Sequence, residues 1–92
     1  MIINNDCVRD ILRTIEKEST YKNPFKFYGQ KSKYETLSKY DGDMLSYHLR
    51  YLLMANLVYS PDGVDGDSNG EFHLDLTPQG HKFINAGLQS ID

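Results

Sequence analysis

The 92-residue sequence predicts a mixed α+β domain, and three stretches carry that prediction. Ser46-x-His48-Leu49-x-x-Leu52-x-x-Ala55-Asn56-Leu57-Val58 reads as an amphipathic helix that stops abruptly and becomes a strand. Leu74-x-Leu76-Thr77-Pro78-x-Gly80 reads as a strand that ends on a helix cap. Between them, residues 61–70 are polar and rich in Gly and Asp, which suit turns. Helix, hairpin, helix is the second half of a winged helix-turn-helix. The expected architecture is therefore a three-helix core, a small antiparallel β-hairpin wing and a C-terminal helix, all in one domain spanning residues 1–92.

The elements follow in order. Asn4 or Asn5 can cap a first helix that runs to about Glu18. Val8, Ile11, Leu12 and Ile15 fall on one face at helical spacing, with Asp6, Arg9, Asp10, Arg13 and Lys17 on the other. Pro24 disfavours a helical residue before it, so residues 19–24 break the pattern. Phe25, Phe27 and Tyr28 suit a short strand, and Gly29-Gln30 turns the chain. Residues 32–40 suit a short second helix with Tyr34 and Leu37 inward.

Asp41 or Asp43 can cap the third helix, where a carboxylate accepts orphan N–H groups and suits the dipole. Leu45, Leu49, Leu52 and Leu53 form its apolar stripe. Asp43, Tyr47, Arg50 and Met54 project the other way. Asn56 is a left-handed stop. Residues 57–60 then read as a strand. Phe72, Leu74 and Leu76 alternate with Glu71, His73 and Asp75, the mark of a half-buried strand. Thr77 caps the last helix, and Pro78 sits in its first turn, where no N–H is missed. Phe83, Ile84, Leu88 and Ile91 form its apolar row.

Composition narrows the function classes. The net charge is -3, which counts against a strong nonspecific nucleic-acid binder. The charge is uneven, however. Lys22, Lys26, Lys31, Lys33 and Lys39 are opposed in their stretch only by Glu35, whereas Asp62, Asp65, Asp67, Glu71 and Asp75 have no Lys or Arg among them. The single Cys7 excludes an internal disulfide or a cysteine-based zinc cluster. No apolar run is long enough to span a membrane. An intracellular, cytoplasmic protein is expected.

The third helix and its exit resemble the recognition helix of bacterial winged-helix repressors of the arsenical-resistance type. The matching residues are Ser46, His48, Leu49, Leu52, Ala55, Leu57 and Val58, with Asn56 where those repressors usually have Gly. Leu76-Thr77-Pro78-Gln79-Gly80 is similar to the Leu-Thr-x-x-Gly that ends the wing in many such regulators. The whole chain looks closer to an uncharacterised family of small phage and prophage proteins. That resemblance rests on Val8-x-x-Ile11-Leu12-x-x-Ile15-Glu16, Tyr47-His48-Leu49 and Leu76-Thr77-x-x-Gly80-x-x-Phe83. It implies a fold but no activity, because fold alone does not license function. The paired Cys or His ligands of the metal-sensing repressors are missing.

Ser46, Tyr47 and Arg50 suit a major groove, where Arg can bond guanine and hydroxyls can hold phosphate. Lys31, Lys33 and Lys39 can supply phosphate contacts from the second helix. The plainer role for both sets is a solvated surface. His48, at the edge of the apolar stripe, is expected to be a packed, hydrogen-bonded histidine.

Asp65-x-Asp67-x-Asn69-Gly70 matches the opening of a calcium loop, but Leu76 stands where the twelfth-position acid belongs. Neither a metal nor a cofactor is expected, and no catalytic constellation is evident. Cys7 is expected to act as a small packed hydrophobe.

Two partners fit: double-stranded DNA bound by a small regulator, or a host or phage protein bound by an interaction adaptor. Ile2, Ile3, Ile84, Leu88 and Ile91 further suggest a homodimer through the terminal helices.

Overall fold

The computed structural model describes residues 2–29, 33–66 and 70–86. It is a mixed α+β arrangement of three α-helices and a three-stranded antiparallel sheet. Helix α1 spans Asn5–Glu18. Its cap is Asn4, whose Oδ1 accepts from the N–H groups of Asp6 at 2.9 Å and Cys7 at 3.1 Å. Val8, Ile11, Leu12 and Ile15 are buried as their spacing requires, and Cys7 and Thr14 join them. Each fully buried Ile or Leu contributes about 1.5–3 kcal/mol relative to exposure, so this face is a principal source of stability.

Strand β1 is Phe25–Phe27, with both phenylalanines inward. The expected second helix over residues 32–40 is, in its described part, only a 3₁₀ turn at Glu35–Leu37. The segment's side chains are held by contacts with β1 and α1 instead of by helical bonds to one another. Tyr34 stacks on Phe25, its ring 5.0 Å away, and accepts from the Lys26 N–H. Leu37 is fully buried. Tyr40 donates to Asp10 on α1 at 2.7 Å. Ser38 also bonds the Glu35 carbonyl with its own hydroxyl, a local competitor to helix formation.

Helix α2 spans Gly42–Met54 and is capped by Asp41, whose Oδ1 accepts from the Met44 N–H at 2.8 Å. Leu45, Leu49 and Leu52 are buried, but Leu53 is only half-buried, and His48 takes the remaining inward place. The helix ends on Asn56 at φ 61°, the left-handed conformation expected of it. The Leu57 N–H reaches back to the Leu52 carbonyl and the Asn56 N–H to the Leu53 carbonyl. This pair of bonds is the Schellman closure of a helix end.

Strand β2 is Val58–Tyr59 and strand β3 is Phe72–Leu76. Strand β3 is central, with β1 on one side and β2 on the other. The registers are Phe25↔Leu74 and Phe27↔Phe72 on one edge and Val58↔Leu76 on the other. Phe72, Leu74 and Leu76 face the core, as their alternation predicts. Helix α3 spans Pro78–Asn85 and packs against α1 and β3. Among the described residues no helix is long and apolar enough to cross a membrane.

Candidate functional site

Asp43, Ser46, Tyr47 and Arg50 lie at spacings of three and four along α2, so they share one face. That face points away from the buried stripe. Asp43 and Arg50 are exposed, while Ser46 and Tyr47 are half-buried. Together with Asp65, Gly66, Gly70 and Phe72 they line a cleft of about 400 Å³ between α2 and the hairpin. The Arg50 guanidinium lies 5.7 Å from the centre of the Tyr47 ring. Such stacking orients the guanidinium without consuming its donors. Neither Arg50 nor Asp43 forms an ion pair among the described residues. The face continues past Tyr51 to Met54, which is 79% exposed.

His48 is fully buried behind this face. Its Nε2 accepts from the Asn4 N–H at 2.9 Å, so Nδ1 carries the proton and donates to the Met44 carbonyl at 2.8 Å. Both ring nitrogens are therefore satisfied, and the ring ties the start of α1 to α2. It is the packed histidine its position suggested.

The two sequence stretches that pointed to the fold meet in space. The Thr77 N–H donates to the Leu57 carbonyl at 3.1 Å, and its hydroxyl donates to the Asn56 carbonyl at 2.6 Å. The same hydroxyl accepts from the Gly80 N–H at 2.9 Å, capping α3. A Cβ on Gly80 would lie 2.1 Å from the Leu57 oxygen. Glycine is thus required there by close backbone approach. This junction fixes where the hairpin leaves α2.

Lys33 and Lys39 have partners of their own. Lys39 sits 3.2 Å from Asp10 Oδ2 and lies over the Tyr40 ring, so an acid on α1 already balances its charge. Lys33 lies 5.4 Å from the centre of the Tyr34 ring. Lys31 lies outside the described residues. Cys7 is buried beside Asp10, and burial, then that carboxylate, push its thiol up to about 12. It is a packed group with no reactive thiolate at neutral pH. Burial and the bond to Asp10 likewise raise the Tyr40 phenol.

One cluster escaped the sequence reading. His73 on β3 lies between two carboxylates: Nδ1 is 2.7 Å from Asp62 Oδ2, and Nε2 bonds Glu71 Oε2. The Asp62 bond raises the His73 pKa against the opposing effect of burial, and Glu71 adds to the rise. The same His73 contact holds Asp62 below its ordinary range. Asp62 also accepts from the Val64 N–H and the Ser60 hydroxyl. The His73 ring therefore fastens the loop after β2 to β3.

Glu71 immediately precedes β3 and is two residues from His73, so the alternation in sequence puts both on one side of the chain. The Asp62 contact was not legible in that way. Pairing runs Tyr59↔Asp75 and then Asp65↔Phe72, so residues 60–64 form a detour that no periodicity reveals. Asp67 and Asn69 of the calcium-like stretch lie outside the described residues.

Of the residues assigned to dimer contacts, Ile2 is 89% exposed. Ile3 and Ile84 are partly buried against the core of the chain. Leu88 and Ile91 lie outside the described residues.

Comparison with known proteins adds a family but no activity. Residues 3–88 match the family described as "Hypothetical protein (DUF2513)". No curated protein and no solved structure matches the chain. With nearly its whole length covered by that family, from the capped first helix through the α2 face and beyond the Thr77–Gly80 junction, the chain belongs to the DUF2513 family.

Proposed function

We propose that the chain is a winged-helix DNA-binding regulator whose α2 enters the major groove. In this reading the 3₁₀ turn stands where the second helix of the motif would be, and β2, residues 60–71 and β3 form the wing. The observation that carries the reading is the α2 face itself. Arg50 is exposed, oriented by the Tyr47 ring and free of ion pairs among the described residues, with Ser46 beside it. A guanidinium presented this way is suited to the O6 and N7 acceptors of guanine. Lys33 remains suited to phosphate, whereas Lys39 must first leave Asp10.

A test is fluorescence anisotropy with a pool of random duplexes at low salt, followed by selection of the tightest binders. Arg50→Ala should cost about 1–3 kcal/mol on a selected site and flatten preference there. The salt slope should be shallow, about -2 to -3, since few lysines are positioned for phosphate. No duplex binding at low salt removes this reading.

A second reading, a protein-interaction adaptor on the same scaffold, is favoured by a different observation. Asp43 and Asp65 line the same cleft and would repel phosphate, and Met54 and Tyr59 are exposed nearby in sequence to the α2 exit. Tyr and Arg are common anchors in protein interfaces. Nuclease-resistant binding of a host or phage protein that is lost in Tyr47→Ala, without any DNA binding, would establish it.

Pairing of two copies through the terminal helices belongs to the regulator reading and is supported by the exposure of Ile2. A chain that sediments as a monomer at high concentration removes the dimer and leaves the DNA reading standing.

A further inference from the structure

Asp43 is the residue on the α2 face that a simple phosphate-binding surface does not explain. It is exposed, it lines the cleft with Arg50, and it forms no side-chain hydrogen bond or ion pair among the described residues. Nor is it needed as the helix cap, because Asp41 already accepts the Met44 N–H. Asp43 and Arg50 are seven positions apart, which is about 10 Å along the helix axis. With bases stacked about 3.4 Å apart along a strand, that distance matches about three base-pair steps. The face thus offers an acceptor at one end and a forked donor at the other, with the Ser46 hydroxyl between them.

We infer that Asp43 is a specificity residue that selects a cytosine about three base pairs from the guanine selected by Arg50. This rests on the DNA-binding reading above. The chemistry is complementary at both ends. A carboxylate only accepts, and cytosine presents an N4 amino donor in the major groove. Adenine also offers an amino donor, but its N7 acceptor lies beside it and repels a carboxylate. Guanine offers O6 and N7 acceptors, which reject Asp43 and suit Arg50. Thymine offers an acceptor and a methyl group, so it too is disfavoured at the Asp43 position. The two unpaired side chains therefore read opposite signs, and the small net charge of the face favours discrimination over general affinity.

The test is selection from a random duplex pool with wild type, Asp43→Asn and Asp43→Ala, with circular dichroism and melting curves confirming the fold of each. Wild type should select guanine and cytosine at a fixed spacing of about three base pairs. Asp43→Asn should convert the cytosine preference to adenine, because an amide bonds N6 and N7 together. Asp43→Ala should erase preference at that position, by roughly tenfold, and leave the guanine intact. Selected sites whose base at that position is unchanged in Asp43→Asn overturn this inference while leaving DNA binding in place. So does an Asp43→Ala variant that binds every sequence more tightly, because Asp43 would then act only by repelling phosphate. Failure of wild type to bind any duplex overturns both proposals.

Discussion

The junction at the exit of α2 and the loop after β2 both depend on backbone angles that most residues avoid, but the forces that hold them differ. At the junction, Asn56 at φ 61° ends α2, and Thr77 and Gly80 close against its exit. The contacts there are backbone carbonyls, a hydroxyl and a missing side chain. In the loop, Gly63 at φ 83° and Gly66 at φ 97° bend the chain, and His73 fastens it through Asp62 and Glu71. Those ionisable contacts act beside two backbone bonds, from the His73 N–H to the Val64 carbonyl and from the Gly66 N–H to the Glu71 carbonyl. The junction is therefore held by steric fit, which does not respond to pH, whereas the loop is held in part by charge, which does. One sets the position of the α2 face, and the other shapes the cleft beside it, since Asp65 and Gly66 line that cleft.

The largest expected effect tests the steric half of this contrast. Gly80→Ala places a Cβ 2.1 Å from the Leu57 oxygen, and backbone rather than a flexible side chain must move. We expect a loss of about 3 kcal/mol or more in denaturant unfolding. Gly63→Ala is the matched loop variant, with open space around its Cβ. It should cost only the left-handed backbone penalty, about 1–2 kcal/mol. Equal losses for the two would break the distinction.

Thr77→Ala comes next. It removes the cap of α3 and the bond to the Asn56 carbonyl together. A loss of about 1–2 kcal/mol is expected from the cap. Thr77→Ser should recover most of it, because the hydroxyl makes both bonds. If Ser is no better than Ala, the threonine methyl rather than the hydroxyl holds the junction.

The smallest effect sharpens the electrostatic half. The folded-state pKa of His73 lies above its ordinary 6.5, so its stabilising contribution is complete below that value and is lost as pH rises through the raised one. Asp62 lies below its ordinary 3.8, so its contribution is present above that value and is lost as pH falls through the lowered one. The clamp is therefore firmest between about pH 4 and 6.5. Neutral imidazole has one N–H, so above this window one of the two carboxylates loses its donor. NMR titration should show the His73 ring and the Val64 amide shifting together as pH rises. In His73→Gln the Val64 shift should vanish, while the Thr77 and Gly80 amides stay unchanged in both proteins. Movement of the junction amides with the His73 titration would show that the two regions are not independent.

The parts of the molecule legible in the sequence are those governed by neighbours along the chain. The α1 face, the Asp41 and Thr77 caps, the Asn56 stop and the inward alternation of Phe72, Leu74 and Leu76 all follow from local spacing and side-chain chemistry. The shared face of Asp43, Ser46, Tyr47 and Arg50 was legible for the same reason, since helical periodicity alone places it. The resemblance stretches located Thr77 and Gly80, but not the reason for them.

Only the tertiary structure decided what depends on contacts between distant residues. It replaced the expected second helix, in its described part, with a 3₁₀ turn, where Tyr34 is held to β1 and Tyr40 to α1. It packed Ile3 and Ile84 partly against the core, tied Lys39 to Asp10, and brought Leu57 against Gly80. It also brought Asp62 to His73 across the detour at residues 60–64. Helical and strand periods fix which face a side chain occupies, but they carry no information about which partner the fold carries to that face.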